Sequence, residues 1–280
     1  MAKDFITAHM VVKNEDRFIW YAISSILPYV DKIIVYDTGS IDNTIKIINS
    51  FTDKKIYFTK FNITRREEIT NLRNEQIKLT NSDWIWIVDG DEIYTNELCK
   101  EILNLIKNKG RKIEGVVVGR YDLLGDIYHY QSESVGTYEL FGRKGHMVLR
   151  LINLKNIPGL KVEGIYPNEG YYDKNGNPII THSKNKYSFT KRKIYHAMYL
   201  KRSSTSGNLP NTFNRNKRKI EMGIPFSKDV LIPEVFDYPH PDYVDDVSYS
   251  RSLGYEQLAY LITPMKILKR KIWRLLISKK

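Results

Sequence analysis

Asp83-Trp-Ile-Trp-Ile-Val-Asp-Gly-Asp-Glu92 decides the architecture, because five consecutive apolar residues run straight into Asp89 and Asp91 with one glycine between them. A strand that is apolar at every position is covered on both faces, the mark of a sheet sandwiched between helices. Outward from it the same alternation recurs. Apolar runs at 5–12, 32–36, 55–59 and 115–118 read as further strands. Between them lie helix patterns: one through Ile19, Ala22, Ile23 and Ile26, with Asn14 and Asp16 as cap candidates and Pro28 helping to end it, then one capped by Asp42 through Ile45, Ile48 and Phe51. A polar helix at 65–79 and another at 96–107 complete the series. The expectation is an α/β fold with a mainly parallel sheet.

Beyond Arg120 the pattern changes to Tyr, Gly and His, and Met147-Val-Leu-Arg-Leu-Ile152 is the clearest strand, so an antiparallel extension is expected. Residues 188–200 read as a helix, and 203–216 and 225–250 as loops. Thr263-Pro264 reads as the start of a terminal helix, with Leu261, Met265, Leu268, Ile272, Leu275 and Leu276 on one face. These patterns divide the chain into a domain over 1–200 and an extension over 201–280 ending in a basic amphipathic tail.

At 280 residues, 42% hydrophobic and 27% charged, the chain has enough apolar content for one large folded domain with an appendage. Its one cysteine, Cys99, excludes an intrachain disulfide or a cysteine metal site and is expected as a buried thiol on a helix. No run is apolar enough to span a bilayer, and Met1-Ala2-Lys3-Asp4 opens no cleavable leader, so a cytoplasmic location is expected. The net charge of +12 favours an anionic partner, yet seven Lys or Arg without an acid lie in 265–280. A nucleic-acid groove would interleave its charge with aromatics across the fold, so no nucleic acid is expected, and an anionic membrane surface under 265–280 is.

In open α/β sheets ligands bind beyond the carboxyl ends of the strands. Asn14, Glu15, Asp37, Asp89 and Asp91 all sit there, and Gly90 lets the chain bend so that two carboxylates face one cavity. Two carboxylates so placed suit Mg²⁺ or Mn²⁺, hard cations that keep open positions for substrate phosphates.

Val11-Val-Lys-Asn-Glu15, Asp31-Lys-Ile-Ile-Val-Tyr-Asp-Thr-Gly-Ser-Ile-Asp-Asn-Thr44, Leu72-Arg-Asn74 and the stretch 83–92, in this order and spacing, resemble the family 2 glycosyltransferases of GT-A fold over about residues 5–110. The resemblance is thinner over 145–200. It implies a metal-dependent inverting transfer from a nucleotide-diphosphate sugar to an acceptor hydroxyl, in polysaccharide, glycolipid or glycoconjugate assembly. Residues 1–118 would form the nucleotide-sugar half and 119–200 the acceptor half. The nucleotide would lie against Val12, Asn14, Glu15 and Gly90, with Asp37 on the base, Arg73 nearby and Asp89 near the ribose. Asp91 would hold Mn²⁺ or Mg²⁺, joined by His182 after a strand-like run. The general base would be Glu169, or else Glu163, in Gly164-Ile-Tyr-Pro-Asn-Glu169, where many relatives read Gly-x-x-His-Glu. The acceptor would be a sugar or a lipid-linked group. A two-metal phosphodiesterase or nucleic-acid-binding protein, and a non-catalytic GT-A domain, are the alternatives; sugar nucleotidyltransferases would need a glycine-rich phosphate loop after the first strand. The donor sugar, the linkage and the oligomeric state are not legible in the residues.

Overall fold

The computed structural model describes residues 6–136, 138–201 and 219–277. The expected loop at 203–216 and the two terminal lysines lie outside them, as does the expected opening of the first strand at Phe5.

The strand and helix series appears as read. Strand β1 (Ile6–Val12), helix α1 (Ile19–Ile26), β2 (Lys32–Asp37), α2 (Thr44–Ile48), β3 (Ile56–Lys60), α3 (Glu67–Lys78) and β4 (Trp84–Ile87) alternate, then β5 (Glu92–Ile93), α4 (Asn96–Lys109) and β6 (Gly115–Asp122). Short β7 (His129–Tyr130), β8 (Tyr138–Leu140) and β9 (Arg143–Gly145) lead to β10 (Met147–Asn153), followed by β11 (Lys161–Glu163), β12 (Gly170–Tyr172), β13 (Tyr187–His196), β14 (Ile224–Pro225) and α5 (Leu253–Ile277). Eight strands form one sheet in the order β3-β2-β1-β4-β10-β6-β13-β5. β1 runs parallel to β2 and β4, and β6 parallel to β13, while β10 is antiparallel between β4 and β6. The carboxyl ends of β1, β2, β4, β6 and β13 therefore share one edge. A mainly parallel mixed sheet flanked by helices is the architecture expected.

Local chemistry explains the elements and their departures from expectation. The N-cap of α2 is Asn43 rather than Asp42, whose Oδ1 accepts from Thr44 N at 2.9 Å, and the helix ends at Ile48, short of Phe51; Thr95 Oγ1 accepts from Leu98 N at 3.1 Å to cap α4. Asn14 and Asp16, by contrast, do not cap α1, whose N-cap is Phe18. Asn14 instead takes a left-handed φ of 53° and ties the chain to the turn after β2. Residues 188–200 are not a helix: 187–196 form β13, threaded beside β6. The terminal helix starts at Leu253, ten residues before the expected cap, and runs through Pro264. Proline removes one ladder hydrogen bond, and the Thr263 hydroxyl, freed from any cap duty, accepts from Met222 N at 2.9 Å.

The main core joins β1, β2, β4, α1 and α4, with Cys99 fully buried as expected. Val235, Phe236, Val244 and Val247 enter the same core, so part of the region after residue 200 packs into the body.

Candidate active site

The turn after β2 builds the first wall. Asp37 Oδ1 accepts from Gly39 N at 3.0 Å and Ser40 N at 2.9 Å, its Oδ2 accepts from the Ser40 hydroxyl, and the residue is wholly buried. Gly39, with φ at 101°, lets the chain close this turn. In this structure the Asp37 carboxylate accepts the hydrogen bonds of its own turn. It shapes the turn, which in turn holds the end of β1: Asn14 N donates to Ser40 Oγ and Glu15 N to Thr44 Oγ1, each at 2.8 Å. A Cβ on Gly90 would come within 3.1–3.2 Å of Glu15 Cβ and Cγ and of Val12 Cγ1. Glycine suits this close approach, and Val12, Glu15 and Gly90 form one continuous surface.

Beside it lies a charged centre that the sequence disclosed only in part. Arg150 pairs with Asp89 Oδ2 at 2.5 Å and with Glu92, which is fully buried. Arg150 is the extra residue where β10 bulges against β6, between Leu149 and Leu151. Such a bulge re-aims a side chain, here toward the end of β4. Burial disfavours the Asp89 carboxylate, but the Arg150 guanidinium prevails and holds it below the usual carboxylate range. For Glu92 burial prevails and pushes the carboxyl up despite Arg150.

His196, at the end of β13, completes the centre. Its Nδ1 meets Asp122 Oδ1 at 3.1 Å and its Nε2 lies 3.4 Å from Asp91 Oδ2, while Ala197 N donates to Asp91 O at 2.9 Å. Asp122 also faces His146 Nδ1 at 3.1 Å and Arg120 Nε at 3.0 Å. Burial opposes the imidazolium, but Asp91 and Asp122 outweigh it and raise the His196 pKa to about 9.

The metal role implied for His182 has to be corrected. His182 Nδ1 meets Glu114 Oε2 at 2.6 Å and its Nε2 lies 3.4 Å from Asp173. Glu114 immediately precedes β6 and Asp122 ends it, so His182 stands at the opposite edge of the sheet from Asp91. The histidine beside Asp91 is His196. A strand over 187–196, read as such, would have put it at the right edge; the helical reading hid it.

Helix α3 carries the other wall. It reads as polar because its buried face binds main chain: Gln76 Nε2 donates to Met10 O at 2.9 Å and Ile34 O at 3.0 Å. Asn74 exchanges two hydrogen bonds of 2.8 Å with Val162, and Thr70 Oγ1 donates to Gly164 O at 2.7 Å. The segment leading to Glu169 is thereby clamped to α3, and Arg73 Nε donates to Glu169 Oε1 at 3.2 Å. Glu169 Oε2 is buried with no hydrogen-bond partner among the described residues. Burial disfavours the Arg73 cation, yet Tyr171, Asp89 and Glu169 together hold its pKa above the ordinary value. Tyr171 in turn interacts with Arg73, Arg150, Glu169 and Asp89, which places all five in one neighbourhood. Glu163 is half exposed and pairs with Lys161 at 2.6 Å.

Of the predicted residues, Val12, Glu15 and Gly90 are in contact, and Asn14 and Asp37 brace them. Arg73, Asp89 and Glu169 gather with Arg150 and Tyr171, while Asp91 pairs with His196. Among the described residues no three His, Cys, Asp or Glu side chains converge as a ready-made metal cage. A site that leaves positions to substrate and water needs fewer protein ligands. Asp91 and His196 fit that description, because Asp122 fixes the ring and aims Nε2 at Asp91.

Residues 7–161 match the family described as Glycosyl transferase family 2. The SPbeta prophage-derived glycosyltransferase SunS of Bacillus subtilis is 32% identical over 93 residues, 33% of this chain and 21% of its own. An uncharacterized glycosyltransferase of Rickettsia felis is 32% identical over 97 residues, 35% of this chain and 32% of its own. The chain thus spans a third or less of these relatives' length. The S. aureus TarS 1-349 structure in complex with UDP-GlcNAc is similar at 15% identity and a TM-score of 0.49, over 73% of this chain and 62% of that one. The family match covers more than half of the 280 residues, and the chain belongs to glycosyl transferase family 2.

Proposed function

We propose that this protein is a metal-dependent, inverting glycosyltransferase that moves a sugar from a nucleotide-diphosphate sugar to an acceptor hydroxyl, in polysaccharide, glycolipid or glycoconjugate assembly. The observation that carries the reading is the pairing of Asp91 with a histidine braced by Asp122, beside Asp89, at the sheet edge that also receives Val12 and Asn14.

The nucleotide lies against Val12, Glu15 and Gly90, on the turn that Asp37 shapes, with Asp89 toward the ribose. Asp91 and His196 would hold Mn²⁺ or Mg²⁺, which supplies positive charge to the departing diphosphate. Arg150 keeps Asp89 ionised and in place, and Arg73 positions Glu169. Glu169 Oε2, without a hydrogen-bond partner among the described residues, takes the proton of the acceptor hydroxyl as that oxygen bonds to the anomeric carbon. The bond from that carbon to the diphosphate oxygen breaks on the opposite face, so configuration inverts and the nucleoside diphosphate leaves with the electron pair.

Metal binding has a pH signature. His196, with a pKa of about 9, holds a proton at neutral pH that a metal must displace. Mn²⁺ affinity in the presence of nucleoside diphosphate should rise close to tenfold between about pH 7.5 and 8.5, a range above the phosphate titration. Calorimetric titration measures it, and His196→Ala should abolish the slope. A slope unchanged in that variant would remove His196 from the metal site.

A further inference from the structure

Helix α5 has its faces inverted relative to a helix that covers a core. The side turned toward the body is the polar one: the Tyr255 hydroxyl donates to Glu221 O at 3.1 Å and to Lys219 O at 3.2 Å. Met222 N donates to Thr263 Oγ1 at 2.9 Å, and Lys266 Nζ to Ile220 O at 3.2 Å, while Arg270 pairs with buried Glu221. Ala259, on the same face, is wholly buried. At about 100° per residue these docking positions centre roughly 145° away from Leu258, Leu261, Met265, Leu268, Ile272, Leu275 and Leu276. The apolar stripe consequently faces outward: Met265 is 63% exposed, Leu268 59% and Trp273 63%. Met265, Leu268, Lys269, Ile272, Trp273 and Leu276 lie side by side along it.

We propose that α5 lies on the surface of an anionic lipid bilayer, docked to the body by its polar edge and inserting its outward apolar stripe among the lipid chains. Charge complementarity selects this occupant. Lys269 and Lys271 flank the stripe, and 265–280 contains seven basic residues and no acid, a pattern that anionic headgroups attract and a second copy of the same helix repels. Trp273 at the stripe's edge suits the headgroup boundary. No described helix is long and apolar enough to cross a membrane, so the helix would rest on the surface. The docked face of α5 is also linked to the site: Lys219, whose carbonyl meets the Tyr255 hydroxyl, donates from Nζ to Gln131 Oε1 at 2.5 Å, and Gln131 N donates to Asp122 O at 2.8 Å. Given the transferase reading, on which this step rests, the acceptor is carried at the bilayer surface.

Sedimentation of the full-length protein with vesicles tests the docking. With phosphatidylglycerol mixed into phosphatidylcholine the protein should pellet at low salt; with phosphatidylcholine alone it should stay in solution. Leu268→Glu with Ile272→Glu, both at exposed positions, should lower partitioning more than about tenfold with an unchanged circular dichroism spectrum. Lys269→Gln and Lys271→Gln should each lower it by about fivefold. A full-length protein that ignores anionic vesicles overturns the proposal. So does a concentration-dependent dimer in ultracentrifugation that the double Glu variant dissociates without any vesicle binding. Hydrolysis of nucleotide sugar in solution is a separate readout: its absence would defeat the transferase reading while leaving the vesicle result to stand.

Discussion

Asp91→Asn is expected to lower turnover by about 10³-fold or more while the protein stays folded. The amide is isosteric and leaves in place the Asp91 carbonyl that accepts from Ala197 N. What it removes is the charged oxygen facing His196 Nε2 and the metal it would hold, and a Lewis acid at a leaving group contributes several kcal/mol to the barrier. Steady-state rates with Mn²⁺, together with a thermal melt, check both halves of the statement. Turnover and Mn²⁺ dependence equal to wild type would place the metal elsewhere.

Glu169→Gln should leave donor affinity intact and reduce transfer to the acceptor by about 10²- to 10⁴-fold, the contribution of a positioned general base. The glutamine can still accept from Arg73 Nε, so the clamp of α3 on the 161–170 segment survives. Donor titration and acceptor turnover separate the two effects. If Glu169→Gln were fully active and Glu163→Gln inactive, the base would be Glu163, despite its exposed pairing with Lys161.

The parallel half of the sheet was legible because β1, β2 and β4 are apolar on both faces and stop at polar turns, a pattern that little else produces. The departures all follow from irregular backbone or inverted faces. In β13, pairing with β6 breaks between Phe189 and Lys193, and the looped-out Lys191 and Arg192 disrupt the alternation that marks a strand. His196 was thereby lost from view and His182 took its place. Arg150 reads as one polar residue inside an apolar strand, and only the bulge turns it toward Asp89 and Glu92. That Asp37 also braces its own turn, accepting from Gly39 N, Ser40 N and Ser40 Oγ, depends on the turn's backbone and is not visible in the residues alone. In α5 the apolar stripe was legible, but its outward direction depends on contacts with residues 219–222, some 40 positions earlier in the chain.

Turnover across a panel of nucleotide-diphosphate sugars, scored for nucleoside diphosphate release with Mn²⁺ and with chelator, tests the central claim most directly. The account predicts one clearly preferred donor, release that stops on chelation and returns with Mn²⁺ or Mg²⁺, and loss of that release in Asp91→Asn. Release from no donor under any metal, by a protein that melts cooperatively, would contradict it.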